Sequence, residues 1–147
     1  MPGPTFRPIS PATGQATVRE YRIAQADEVD TACLLASEAF DWLSQAPSSV
    51  RSALLRAMAQ EISDLGDALI SIASDETGLS HPRLAGERDR TLFTLRTFAD
   101  AVDAGAWNRR CDDAAIPERK PLPKPSLRRE LVPLGPVAVF GASNFPL

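Results

Sequence analysis

Apolar residues recur every three to four positions along four stretches of the chain, a spacing that gathers them on one face of a helix. The pattern predicts helices over residues 27–44, 47–65, 67–78 and 80–102. Glycine stands at the end of the second and third stretches, where its tolerance of left-handed backbone favours a helix stop. We therefore predict that most of the chain forms a layer of helices.

The same pattern divides each helix into a buried and a solvated face. Cys33 falls on the apolar face of the first helix, where a thiol packs as a small hydrophobe. Asp67 is predicted to cap the third helix. In the fourth, Leu84 and Phe98 belong to the inner stripe, and the charged residues 87–90 form a solvated outer face.

Three segments outside the helices have strand or linker character. Residues 5–23 alternate apolar and polar positions around a Pro-Ala-Thr-Gly turn, which predicts a short hairpin. Residues 108–126 contain four prolines among charged residues and are typical of an extended linker, although a peptide ligand for a proline-binding domain is an alternative. Residues 127–132 predict an edge strand or hairpin arm.

The run Val-Ala-Val-Phe at 137–140 is typical of a strand buried on both faces, as found in parallel sheets. Ligands bind at the carboxyl ends of such strands, where residues 141–144 would lie. Asn144 carries the only long polar side chain there, and its amide can donate to an oxygen that gains negative charge during a reaction. The alternative is that Asn144 caps a following helix.

Composition and charge narrow the function classes. The formal charge of −3 and pI near 5.2 argue against a nucleic-acid or anionic membrane surface, which needs a clustered basic excess. No apolar run is long enough for a membrane span, so a cytoplasmic protein is expected. Cys33, Cys111 and the lone His81 have no partners at metal-ligand spacing, so we predict no metal site.

The closing residues 133–147, Pro-Leu-Gly-Pro-Val-Ala-Val-Phe-Gly-Ala-Ser-Asn-Phe-Pro-Leu, resemble the strand and Asn-Phe-Pro-Leu motif of the aldehyde dehydrogenase superfamily. Ser143 stands where most of the superfamily has Trp, and this version is similar to the branch that oxidises α-ketoglutaric semialdehyde (2,5-dioxopentanoate). Residues 10–14, 76–78 and 121–132 extend the resemblance along nearly the whole chain.

The resemblance implies an α/β fold, the N-terminal part of the aldehyde dehydrogenase fold. Its parts would be a short hairpin and about four helices over 1–107, a Pro-rich crossing over 108–126, and an edge strand followed by the first strand of the parallel cofactor-binding sheet over 127–147. In this family such an edge strand belongs to an oligomerisation arm, so the resemblance implies a homo-oligomer.

The resemblance also implies a reaction, the oxidation of a small aldehyde to the acid with NAD or NADP, through a cysteine thiohemiacetal and a hydride transfer. Asn144 matches the oxyanion-hole asparagine, and Phe145 matches a wall of the substrate pocket. The positions that match the cofactor-binding segment are Phe140, Gly141, Ala142 and Ser143.

The nucleophilic Cys and the general-base Glu of the family lie downstream of this motif, so neither Cys33 nor Cys111 takes the catalytic role. The expectation is an N-terminal piece of such an enzyme that is inactive alone. A rival hypothesis is a small helical-bundle interaction module with a Pro-rich tail; the helix pattern supports it equally well, but it does not explain the closing motif.

Overall fold

The computed structural model describes residues 3–105, 107–142 and 144–147. The four predicted helices are confirmed at nearly the predicted bounds, and two small antiparallel sheets accompany them. None of the described helices is both long and apolar enough to span a membrane. The elements are β1 (Thr5–Phe6), β2 (Tyr21–Arg22), α1 (Ala26–Gln45), α2 (Ser48–Asp64), α3 (Gly66–Thr77), α4 (His81–Asp103), β3 (Cys111–Asp113) and β4 (Leu127–Arg129).

The core lies where α4 packs against α2 and α3. Ala59 of α2 and Ala99 of α4 are completely buried, and such small side chains permit close approach of two helix backbones. Ile70 and Ala73 of α3 form a second cluster with Leu84 of α4, which is the largest fully buried side chain among the described residues. Helix α4 is thus the element shared by both interfaces.

The predicted faces of α4 are confirmed only in part. Leu84 is buried as predicted, but Phe98 is 60% exposed and Glu87, assigned to the solvated face, is only 6% exposed. The burial of Glu87 is tolerated because Arg83, one turn earlier on the same helix, places its guanidinium Nε 3.0 Å from the carboxylate. A periodicity argument counts Glu87 as polar and does not include this pairing.

Helix α1 packs less closely than its pattern predicts. None of its residues is buried, and Cys33 is exposed, so the interpretation of Cys33 as a buried hydrophobe is wrong. The partly covered residues of α1 are Glu28 in its first turn and, at its C-terminal end, Phe40 and Leu43, which line an apolar cleft with Val102 and Trp107.

The helix junctions depend on two glycines with positive φ. Gly66, with φ of 54°, is the first residue of α3 after the junction at Leu65, and Gly78, with φ of 71°, ends α3 in the left-handed conformation. A Cβ added to Gly78 would lie 3.5 Å from Pro11 in the N-terminal turn. The prediction that Asp67 caps α3 is wrong, because Leu65 occupies the cap position and Asp67 lies in the first turn.

The predicted N-terminal hairpin is confirmed. β1 and β2 pair with Phe6 opposite Tyr21, and a further bridge joins Ile9 to Ala16 across the turn. The Tyr21 hydroxyl donates a hydrogen bond to the Glu76 carboxylate of α3, which attaches the hairpin to the helical layer. This hydrogen bond, together with partial desolvation and the nearby negative charge, raises the pKa of the Tyr21 hydroxyl above its ordinary value of 10.0.

The Pro-rich segment is more ordered than a simple extended linker. β3, which lies within it, pairs antiparallel with β4, and an isolated bridge joins Ile116 to Lys124. Asp112 accepts a hydrogen bond of 2.8 Å from Arg128 across the strands. The segment before β4 therefore folds back as the first half of a hairpin arm, and the strand predicted at 127–132 is confirmed over 127–129.

The run at 137–140 differs from the predicted buried strand. The structure assigns it no strand, and Val137, Val139 and Phe140 are 71%, 86% and 94% exposed. A strand of this type requires hydrogen-bonded neighbours on both sides and cover on both faces. The described residues provide no parallel neighbour, so the run stays extended and open.

We predict that Leu84→Ala lowers the free energy of unfolding by about 2–4 kcal/mol, because it leaves a cavity at the α3–α4 contact. Urea unfolding followed by circular dichroism measures the change. Leu34→Ala on α1 is the matched control, since Leu34 is 66% exposed, and should change stability by less than about 0.5 kcal/mol. Equal effects of the two substitutions would contradict the location of the core.

A second prediction concerns Tyr21, the only tyrosine in the chain, so that tyrosinate absorbance reports on it alone. Glu76→Gln should lower the pKa of Tyr21 toward its ordinary value, and Glu38→Gln on α1 should not. Because the folded-state pKa is raised, the stabilisation from this contact is complete below the unfolded pKa and is lost as pH rises through the folded one. An unchanged titration in Glu76→Gln would refute the contact.

Candidate functional site

The closing segment 144–147 lies against α4. Leu147 packs on the cluster of Ile70, Ala73 and Leu84. The Phe145 ring lies beneath the Arg83 guanidinium, 5.4 Å from ring centroid to the guanidinium carbon, and 6.0 Å from that of Arg90. Both distances are within the range of attraction between a cation and an aromatic face.

Arg83 connects α4 to the backbone of the segment. Its Nη2 donates a 2.6 Å hydrogen bond to the main-chain carbonyl of Asn144, and its Nε donates to Glu87. Glu87 Oε1 accepts that bond, whereas Oε2 is buried and has no hydrogen-bond partner among the described residues. The carboxylate thus depends on Arg83 for its charge compensation.

Asn144 occupies a tight turn whose ends are joined by a hydrogen bond. The Phe145 amide donates to the Ala142 carbonyl at 3.2 Å, and these two residues form an isolated antiparallel bridge. The Asn144 residue is exposed. Its side-chain amide is therefore available as a donor to a ligand, while the Asn144 main-chain carbonyl is bonded to Arg83.

The structure brings together some of the predicted site residues. Ala142, Asn144 and Phe145 share the turn, and Phe145 also lines an open cavity of about 490 Å³ along α4. Phe140 and Gly141 lie outside the turn, because they precede Ala142, whose carbonyl closes it, and both are exposed. Ser143 falls outside the described residues.

Sequence reasoning missed the residues of α4 that contact the turn. Arg83 received no role, and Glu87 and Arg90 were assigned to a solvated face. The signal available was the four-residue spacing of Arg83 and Glu87, which places opposite charges on adjacent turns of a helix. That spacing predicts a pair, but it does not predict that the pair faces the closing segment, which lies 61 positions away along the chain.

The described residues contain no cluster of three or more His, Cys, Asp or Glu side chains placed to hold a metal ion. Cys111 lies on β3 with its sulfur 3.6 Å from the Arg129 guanidinium. This position on the arm is separate in the fold from the turn at Asn144, and neither described thiol contributes to that turn.

A sequence comparison decides the family. The sequence model described as the aldehyde dehydrogenase family matches residues 2–147. The chain belongs to this family. Membership accounts for the closing motif together with the helices that precede it, and so favours the enzyme interpretation over the rival hypothesis of a helical interaction module.

Two curated relatives agree with the branch suggested by the closing motif. The chain is 47% identical to α-ketoglutaric semialdehyde dehydrogenase 2 of Azospirillum brasilense over 144 residues, covering 97% of this chain and 27% of that protein. It is 42% identical to α-ketoglutaric semialdehyde dehydrogenase of Acinetobacter baylyi, with 98% and 27% covered. The chain thus spans about a quarter of the length of these relatives.

A solved structure supports the fold. Betaine aldehyde dehydrogenase of Staphylococcus aureus, determined with NAD⁺, superimposes with a TM-score of 0.67 at 22% identity, covering 78% of this chain and 23% of that one. The predicted fold class, the N-terminal part of the aldehyde dehydrogenase α/β fold, is confirmed by this similarity.

The contrast between the open run and the bonded turn predicts a pattern of amide hydrogen exchange in the 147-residue chain. The amides of Val139 and Phe140 should exchange nearly as fast as in an unstructured peptide, and that of Phe145, which has an acceptor, more slowly. The Ala99 amide in the packed centre of α4 is the protected reference. Strong protection of Val139 and Phe140 in a monomer would contradict the open conformation of the run.

Proposed function

We propose that the chain supplies the oxyanion donor of an NAD(P)-dependent aldehyde dehydrogenase that oxidises α-ketoglutaric semialdehyde to the acid. The observation that carries the proposal is the 47% identity, through nearly the whole chain, to a relative named for that substrate. The exposed Asn144 amide, on a turn anchored to α4, supports the assignment of the donor to this residue.

Asn144 would act on the aldehyde oxygen. As a cysteine thiolate adds to the aldehyde to form a thiohemiacetal, the carbonyl oxygen gains negative charge, and the Asn144 amide would donate a hydrogen bond to it. One such donor is worth about 3–4 kcal/mol of transition-state stabilisation, which corresponds to roughly 100-fold or more in rate. Phe145, which follows directly, would form a wall of the substrate pocket.

The segment from Phe140 to Ser143 would hold the nicotinamide coenzyme, which supplies the oxidant of the reaction. The described part of this segment fits that role in one respect: it is exposed, and a Cβ added to Gly141 would meet no atom within 4 Å. Main-chain groups there are open to close approach by a ligand. The assignment of Ser143 rests on the family resemblance alone.

The nucleophile and the general base of the proposed reaction would come from the part of the relatives that this chain does not span. We therefore propose that the 147-residue chain is inactive alone and that a homo-oligomer forms in the complete enzyme through the β3–β4 arm. The exposed apolar side chains of the arm, Leu127 and Leu131, support the second part.

A fusion enzyme tests the role of Asn144. Residues 1–147 would replace the matching segment of the Azospirillum brasilense relative, and oxidation of α-ketoglutaric semialdehyde would be followed by the absorbance of reduced nicotinamide. We expect the fusion enzyme to be active and Asn144→Ala to lower kcat by about 100-fold or more. The 147-residue chain, assayed in parallel, should produce no reduced nicotinamide.

Gln15→Ala is the matched control, because it removes the same type of amide from the exposed N-terminal turn. It should leave kcat unchanged. A folded fusion enzyme whose kcat survives Asn144→Ala would overturn the oxyanion role, and aldehyde oxidation by the 147-residue chain would overturn the proposal that it is inactive alone.

A further inference from the structure

Arg83 is the only described side chain that joins α4 to both the main chain and the ring of the closing motif. Its Nη2 is 2.6 Å from the Asn144 carbonyl oxygen, and its guanidinium stacks on Phe145. Its Nε bonds to Glu87 one helical turn along α4. The guanidinium therefore has three separate contacts, which restrict its orientation more than a single contact would.

We propose that Arg83 is a positioning residue that sets the direction of the Asn144 side chain; the inference rests on the proposed function. The Asn144 carbonyl and its Cβ are both bonded to the same Cα, so a fixed carbonyl restricts the backbone rotation that would turn the Cα–Cβ bond, and with it the amide, away from the substrate oxygen. An oxyanion donor acts only when it is held at the place where the charge develops. Arg83 does not contact the reacting atoms.

Glu87 makes this arrangement rigid. Only 6% of Glu87 is exposed, and its carboxylate has a single partner among the described residues, the Arg83 Nε. A buried carboxylate holds its cation strongly because it has no water to replace it. Arg83 is itself 45% exposed, so its orientation comes from these contacts and not from enclosure.

The positioning role predicts a kinetic signature in the fusion enzyme. Arg83→Met should lower kcat about tenfold and change KM by less than about twofold, because substrate still binds while the donor is misplaced. Arg83→Lys should recover part of the loss, since its ammonium can still donate hydrogen bonds but cannot form the planar fork. Arg96→Met is the matched control on the same helix, where Arg96 is exposed, and should leave kcat unchanged.

A double-mutant cycle separates positioning from general structural support. If Arg83 acts through Asn144, adding Arg83→Met to Asn144→Ala should lower kcat by less than about twofold further. Should Arg83→Met fail to fold, Arg83→Lys takes its place in the cycle, because it keeps a positive charge beside Glu87.

Three results would overturn the inference. If Arg83→Met leaves kcat within about twofold of the parent, no positioning by Arg83 is needed. If Arg83→Met lowers kcat by the same factor in the fusion enzyme and in its Asn144→Ala variant, Arg83 acts independently of Asn144. If Asn144→Ala itself has no effect, the proposed function fails, and the inference falls with it. The first two results leave the effect of Asn144→Ala intact, so the two failures are distinguishable.

Discussion

Burial against α4 is the constraint on which the rest of the structure depends. The helix contacts α2 and α3 and has Ala99 and Leu84 buried along it, and the closing segment packs through Leu147 on the cluster that contains Leu84. Because one rigid helix is common to these contacts, the position of the turn at Asn144 is tied to the core. The loosely packed α1 and the arm contribute little to this arrangement.

The sequence predicts those parts of the fold that are set by neighbouring residues. Helix ends at Gly66 and Gly78 and the N-terminal hairpin follow from local backbone preferences, and the structure contains all of them. Apart from the wrong cap at Asp67, which is local, the errors concern properties set at a distance. Phe98 is exposed because the described residues offer nothing to cover it, and residues 137–140 remain open because a parallel strand is formed by its neighbours and not by its own composition.

The candidate site, like the fold, is predicted by local sequence only in part. From spacing alone, Asn144 is either the cap of a helix or a hydrogen-bond donor to a ligand oxygen. The family resemblance favours the donor. The contact from Arg83 to Asn144 joins positions 61 residues apart, so no local pattern contains it. The local pattern does predict the pair of Arg83 and Glu87 on adjacent turns. That this pair contacts the closing segment is known only from the structure.

The burial of the Glu87 carboxylate requires a physical explanation. A buried carboxylate with one oxygen lacking a described partner costs stability, and replacement of such a pair by apolar residues is often neutral or stabilising. Stability alone therefore does not explain the charge. Orientation does, because Glu87 holds the Nε of the guanidinium whose Nη2 bonds to the Asn144 carbonyl. The cost arises within α4, and the benefit lies at the exposed Asn144 in the turn.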